Sequence, residues 1–329
     1  MKEERSLSHM ENTNPNLILD ACSKLISSFK HDEFIVAFSG GEDSSVLLHA
    51  MVELKKVKKF NLRTIHINHN IQDNSAEVSE HCLRVSKNYS IKHSSYNVEI
   101  DNSSNIEEKC RIQRYNALRK HSNEGEIILT AHHLDDQIET FFLRMLRGSG
   151  IRGLSSMDMC TTLHERIVAR PFLRVPKHEL QNYSKNNMIS YIDDQSNNDT
   201  RLDRNYIRHN IIPELKKKWV SLDKIISNNL DILSIQSDVL ESYIESISTA
   251  YTSGDETVLE INKIIHKDYG VKVLLLHHWI YKITSTNLNL RHINEILKIM
   301  NTNNDSNPLF VFDNVKITKN GTKLIIQKP

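Results

Sequence analysis

Four polar clusters in this sequence have the residue types and spacing of reactive or ligand-holding groups. The first is Ser39-Gly40-Gly41-Glu42-Asp43-Ser44. Two glycines without Cβ let backbone N–H groups converge on an anion. The start of the helix that follows adds its dipole, and the Ser39 and Ser44 hydroxyls add donors. This is phosphate-binding chemistry without a Walker A loop, since GxxxxGK[ST] occurs nowhere in the chain. A carboxylate in a phosphate cradle is unfavourable unless a cation neutralises it, so Asp43 implies magnesium bridging carboxylate and phosphate. SGG alone would suit a helix cap after a tight turn; strand–SGGxDS–helix favours a nucleotide.

The second cluster is Ala131-His132-His133-Leu134-Asp135-Asp136-Gln137-Ile138-Glu139-Thr140. Two His and two Asp within five residues suit metal ligation or acid–base work. One acid is expected to cap the helix while the other reaches the site, and one His to be packed. The third, Gly148-Ser149-Gly150-Ile151-Arg152-Gly153, matches GxGxxG. A dinucleotide fingerprint must follow a strand, and this one follows a helical pattern. It reads as a helix stop and a flexible basic loop bracketed by Arg147 and Arg152. The fourth runs from Asp193-Asp194-Gln195-Ser196-Asn197-Asn198-Asp199 to Arg204-Asn205-Tyr206-Ile207-Arg208. Arg204 and Arg208 would share a helix face and could clamp phosphates. An Arg–Asp surface network is an equal alternative for that segment.

The elements that must position these clusters alternate. A helix is expected over 15–31 and a buried strand over 33–38, and Asp43-Ser44-Ser45 opens the next helix, to about Val57. Strands at 62–67, 94–100 and 126–131 alternate with helices at 75–89, 106–121 and 134–147. That order predicts βαβ units and a parallel sheet, with ligands beyond the carboxyl ends of the strands. Ser39-Gly40-Gly41 and His132-His133 both fall at such ends, on one rim. Beyond about 219 the pattern is helical (222–248, 260–283, 290–300). It closes with strands at 309–317 and 322–327 joined around Asn320-Gly321, a hairpin signal. The expected organisation is 1–14 disordered or a tag, 15–218 catalytic, and 219–329 a smaller, mostly helical domain ending in a β-hairpin.

Composition narrows the classes. With 329 residues, 39% hydrophobic and 25% charged, the chain can bury sizeable cores. Four dispersed cysteines without a CxxC disfavour a zinc ribbon, a dithiol centre or a disulfide framework, and fit a reducing cytoplasm. No apolar run reaches the roughly 18 residues of a membrane span, and the N-terminus lacks the apolar core of a signal peptide. Net charge is +1. Residues 144–218 nevertheless hold fourteen basic side chains against eight acidic, a net +6, leaving −5 elsewhere. The segment is either a solvated face or a polyanion surface.

Taken together, the clusters resemble the PP-loop (N-type) ATP pyrophosphatase superfamily, of adenine nucleotide alpha hydrolase-like fold, and within it the tRNA(Ile)-lysidine synthetases. SGGEDS at 39–44 carries the superfamily likeness. HINHN at 66–70, IEEKCRIQRY at 106–115, AHHLDDQIETFFLRMLRGSGIRGL at 131–154, RPFL at 170–173 and DDQSNNDTRLDRNYIRHNIIP at 193–213 carry the narrower one. Asn70 and Gln72 depart from the pattern, which has Gly and Arg there, and the chain resembles the short form of the family.

The resemblance implies a ligase. ATP would activate the C2 oxygen of the wobble cytidine in the isoleucine tRNA with a CAU anticodon. The side-chain amine of free L-lysine would then displace AMP. It implies ATP binding by Ser39, Gly40, Gly41, Glu42, Asp43 and Ser44, with magnesium on Asp43 and Asp136. Asp43, His133, Asp136 and Arg204 would be catalytic, His133 against a flipped cytosine. Arg147, Arg152, Arg170, Arg174 and Arg208 would hold tRNA. A homodimer is compatible with it, and no membrane partner is expected. The alternatives are another PP-loop enzyme (tRNA thiolation, disfavoured by the absence of a cysteine near Asp43 or His133, or an amidation ligase) and a non-catalytic nucleotide-sensing RNA-binding module.

Overall fold

The computed structural model describes residues 16–70, 74–99, 106–163, 165–193, 199–248, 250–252, 254–284, 286, 288–303, 308–313 and 315–327. The expectations for 1–14, Gln72 and 194–198 lie outside these residues. The chain divides into two compact units. One holds the residues up to Leu143 and Ser156–Asn228; the other holds Arg144–Ser155 and Asn229–Pro329. The change of unit falls ten residues beyond the expected 218/219, and the GxGxxG segment groups with the second unit.

The first unit alternates α1 (Leu17–Ile26), β1 (Glu33–Ala37), α2 (Glu42–Val57), β2 (Asn61–Asn68), α3 (Ser75–Asn88), β3 (Lys92–Asn97), α4 (Ile106–Lys120), β4 (Ile127–Leu129) and α5 (Leu134–Leu146). After the one-turn α6 (Ile151–Leu154) come β5 (Cys160–Leu163), β6 (Arg166–Ala169), α7 (Lys177–Asn186), α8 (Asp203–Tyr206), a π-helical turn Ile207–Ile211 and α9 (Ile212–Lys218). The sheet order is β3-β2-β1-β4-β6-β5, parallel throughout except for β5. The hairpin of β5 and β6, and α7, are additions to the expected pattern.

Strand β1 shows why the sheet is covered on both faces. Its side chains alternate with period two. Phe34 and Val36 enter a large cluster with Leu47, Leu48 and Met51 of α2, whereas Ile35 enters a smaller one with Ile65, Leu118 and Ile128. The chain leaves β1 through β2 and β3, then returns to pair β4 on the other side of β1. The order therefore reverses between β1 and β4, the position beyond whose strand ends open α/β sheets bind their ligands. SGGEDS follows one of these two strands and AHHLDD the other.

The second unit contains α10 (Leu222–Ser248) from Asn229 onward, β7 (Val258–Glu260), α11 (Ile261–Ile264), α12 (Tyr269–Thr284), α13 (Leu290–Met300), β8 (Leu309–Phe312), β9 (Val315–Asn320) and β10 (Lys323–Gln327). In place of a two-stranded hairpin there is a four-stranded antiparallel sheet, β7-β10-β9-β8. The expected strand over 309–317 is broken by Asp313, at φ +51°. The Asn-Gly turn is present one residue later, since Asn320 still pairs with Lys323. Val315, Ile317, Leu324 and Ile326 face a core with Trp279, Ile293 and Ile296. Lys319 continues the inward alternation and is buried. Its ammonium donates to the carbonyls of Met300 and Thr302, at the end of α13, where the helix dipole favours a cation.

Candidate active site

The loop after β1 is shaped by Gly40, at φ +85°. A Cβ there would lie 3.1 Å from Cys82 Sγ and 3.2 Å from Val78 on α3, so both space and backbone conformation call for glycine. Ser39 Oγ and Ser44 Oγ are 3.0 Å apart, and Ser44 Oγ donates to the Gly41 carbonyl at 3.0 Å. No side chain caps the start of α2. Its first amides, which have no acceptor within the helix, therefore suit an anion. Cys82 is the cysteine that packs against this loop, at Gly40. Burial pushes that thiol up to about 12, so it is not a thiolate. Asn70, where the family pattern has glycine, stands at φ +51° and donates its N–H to its neighbour Asn68 Oδ1 at 2.8 Å. Asn is among the few residues besides Gly that tolerate this conformation.

The turn after β4 closes on itself. The His133 N–H donates to Asp136 Oδ2 at 3.0 Å, and the Asp136 N–H donates to His133 Nδ1 at 3.4 Å. This reciprocal pair starts α5 as a capping box does, with imidazole in place of hydroxyl. In the neutral ring with Nδ1 as acceptor the proton is on Nε2, which lies 3.5 Å from both Asp43 Oδ2 and Asp136 Oδ2. The two clusters thus meet through His133. Burial opposes charge on this imidazole, but the Asp136 and Asp43 carboxylates outweigh it and raise its pKa. Burial likewise disfavours the Asp43 anion, and His133 and Lys177 overcome it, lowering the pKa. His133 is only 5% exposed, and its Nε2 edge faces the two carboxylates. His132 is the packed histidine. Its Nδ1 meets Thr130 Oγ1 at 2.9 Å, and burial holds it down at about 3.

The expected division of labour between the two aspartates is also different. Asp136 both caps α5 and reaches Arg204, whose Nη2 donates to its Oδ1 at 2.9 Å. Asp135 caps another helix, accepting the N–H of Lys177 at the start of α7 at 2.8 Å. The Lys177 ammonium returns to the phosphate-type loop, 2.5 Å from Asp43 Oδ1 and 2.9 Å from Glu42 Oε2.

Glu139, one turn beyond Asp136 and 1% exposed, completes the network. It accepts from Arg204 Nε at 2.7 Å, and from Arg208 Nε and Nη2 at 2.6 and 2.9 Å. Two carboxylates and two guanidinium groups balance in charge, which makes their burial tolerable. Arg208, expected on tRNA, is thus held by Glu139, and Arg204 spans Asp136 and Glu139. Arg170, also expected on tRNA, is 6% exposed and donates to the Asp158 carbonyl and Thr161 Oγ1, bracing β5 from inside. Arg174 is exposed in the first unit; Arg147 and Arg152 are exposed in the second. Arg152 pairs with Glu241 at 3.1 Å and lies 4.0 Å over the Tyr281 ring.

Lys177 and Glu139 are the residues that sequence reasoning missed. Glu139 was detectable. Acids three apart on α5 match arginines four apart at 204–208, each pair on one helical face. Lys177 had no local signal.

The family model for the PP-loop domain matches residues 16–215. The tRNA(Ile)-lysidine synthase of Buchnera aphidicola subsp. Baizongia pistaciae is 35% identical over 87% of this chain and 66% of that protein. The one from Buchnera aphidicola subsp. Acyrthosiphon pisum is 45% identical over 60% of this chain and 45% of its own length. That of Buchnera aphidicola subsp. Schizaphis graminum is 34% identical over 93% and 69%. The chain belongs to the tRNA(Ile)-lysidine synthase family of PP-loop proteins. It spans less than two thirds of the length of the first two of these relatives. Among solved structures, the U34-tRNA thiolase NcsA from Methanococcus maripaludis superposes with a TM-score of 0.55 at 17% identity, covering 66% of this chain and 79% of that one. The likeness between this lysidine synthase family member and the thiolase is one of fold alone.

Magnesium fits the residues present if the nucleotide brings most of its ligands. No group of three or more His, Cys, Asp or Glu able to hold a metal occurs among the described residues. Magnesium commonly takes one or two carboxylates and completes its shell with phosphates and water. Asp43, partly exposed at the uncapped start of α2, suits that role. Asp136 already has Oδ1 on Arg204 and Oδ2 on the His133 amide.

Proposed function

We propose that this chain is a tRNA(Ile)-lysidine synthase. It would use ATP to adenylate C2–O of the wobble cytidine in the CAU-anticodon isoleucine tRNA, releasing pyrophosphate. The lysine ε-amine would then form the N–C2 bond as the C2–O bond breaks, AMP leaves and the amine gives up its protons. The observation that supports this reading best is the meeting of SGGEDS and AHHLDD at the reversal between β1 and β4, joined by His133. An uncapped helix start and a partly exposed carboxylate there suit a nucleoside triphosphate with its cation.

The residues have separable tasks. The first amides of α2, with Ser39 and Ser44, would bind and orient the phosphate tail, and Asp43 would hold the metal, whose charge would offset that of the phosphates. Asp136 is the second expected metal ligand or the acid on the amine side. Because its oxygens are engaged, we assign it first to positioning, through His133 and Arg204. Arg204, which bridges Asp136 and Glu139, stabilises charge at the activated base. Mass analysis of the anticodon nucleoside, after incubation with ATP, lysine and tRNA, tests the proposal. Lysidine and lysine-dependent AMP release are expected. An unmodified cytidine, or AMP release independent of lysine, would overturn it. Asp43→Ala is expected to reduce AMP release by about 100-fold or more, the scale of losing one electrostatic stabiliser.

A further inference from the structure

We infer that Lys177 is a phosphate-binding residue whose ammonium is the exchangeable counter-charge of the SGGEDS loop. It rests on Asp43 and Glu42 without nucleotide and turns to the phosphate tail when a divalent cation takes Asp43. The inference depends on the ATP-site reading above. Its basis is the placement of one side chain. Lys177 is the first residue of α7, and its amide is pinned by Asp135 in the first turn of α5 at 2.8 Å. Its ammonium reaches two acids in the first turn of α2, at 2.5 and 2.9 Å. One residue therefore ties together the starts of three helices, with its charge at the loop that suits phosphate.

Elementary electrostatics gives that charge a task. Glu42 and Asp43 favour the α2 dipole but would repel a triphosphate placed over the same amides. Besides these two acids, the titratable groups beside Lys177 or Glu42 among the described residues include His133, Tyr191 and Asp135, whose carboxylate is engaged by the Lys177 amide. His133 is shared between Asp43 and Asp136 and does not reach Glu42. Lys177 offsets one; a divalent cation, by taking Asp43, frees it. The lysine stem is flexible and partly exposed, 29% for the side chain, so its head can move while the pinned amide keeps its origin fixed.

A lysine that only braced the loop would affect all ligands in the same direction. The exchangeable role predicts opposite signs. In Lys177→Met, ATP binding measured in EDTA should weaken by about tenfold, while Mn²⁺ binding to the nucleotide-free protein, read by electron paramagnetic resonance, should tighten by about fivefold. Lys177→Arg should keep ATP binding within about threefold of wild type. Circular dichroism checks folding. The Asp135 contact uses the backbone and survives either substitution. If the methionine variant does not fold, wild-type protein with ¹³C-methylated lysines decides. The Lys177 resonance, assigned from Lys177→Arg, should shift on adding Mg²⁺ and ATP. ATP and Mn²⁺ affinities unchanged in Lys177→Met, Mn²⁺ binding weakened there, or an unmoved resonance would each overturn the inference. Wild-type protein that binds no ATP would overturn the ATP-site reading together with it.

Discussion

At the residue scale, the site is a set of carboxylates that would be costly without their partners. Glu139 is the extreme, a buried anion kept by three hydrogen bonds from two arginines. Glu139→Gln should cost about 3–5 kcal/mol in urea unfolding, because it leaves two partly buried guanidinium groups with Asp136 as their one remaining carboxylate. Opposite pH windows follow from the shifts at Asp43, Asp136 and His133. The charges of His133 and Arg204 outweigh burial at Asp136 and hold its pKa well below the usual range; Asp43 is lowered too. A depressed carboxylate contributes stability that is present above its unfolded value, about 4, and is lost as pH falls through the folded one. The raised His133 contributes below about 6.5 and loses that contribution as pH rises through its folded pKa. The cluster should therefore be most stabilising between about pH 4 and 6.5. Urea midpoints measured against pH check this. His133→Gln should remove the alkaline decline, and Asp136→Asn should flatten the acid one.

At the element scale, Asp135 caps α7 from a distance. Asp135→Ala should cost about 1 kcal/mol, as for other helix caps removed, and let Lys177 drift from Asp43. Denaturant unfolding reads the first effect. How much was legible in the sequence follows from how far each signal extends along the chain. Helices α2 to α5 and strands β1 to β4 announced themselves through runs and caps contained within each segment. The four-residue strands β5 and β6 are too short for a period, and charged Arg166 begins the second. Their identity as strands comes from pairing, β6 to β4 and β5 to β6. Likewise SGGEDS was readable because its chemistry is contiguous. The bond from Lys177 to Asp43 spans 134 residues and has no trace in local pattern. Arg170 was misread for the same reason, since a basic stretch in one dimension does not tell which side chains the fold turns inward.

At the scale of the whole molecule, the excess of positive charge over 144–218 is smaller in effect than its count. Arg170, Lys177, Arg204 and Arg208 are held by internal acceptors. If Arg147 and Arg174 bind RNA phosphates, replacing both by Ala should lower the slope of log affinity against log salt by about 0.7–0.9 for each phosphate no longer neutralised. Arg170→Ala should leave that slope unchanged and cost about 1–3 kcal/mol of stability instead. Filter-binding titrations with tRNA over a range of salt separate the two.

The opening turn of α5 has a dynamic consequence. Adjacent aspartates there fasten segments that are strangers in the sequence, Asp135 the amide of Lys177 and Asp136 the guanidinium of Arg204. Neither strap can slacken alone if that turn unwinds. In deuterated water, the amides of 178–183 and 204–208 should therefore open as one cooperative group, with matching protection that Asp136→Asn lowers in both stretches together.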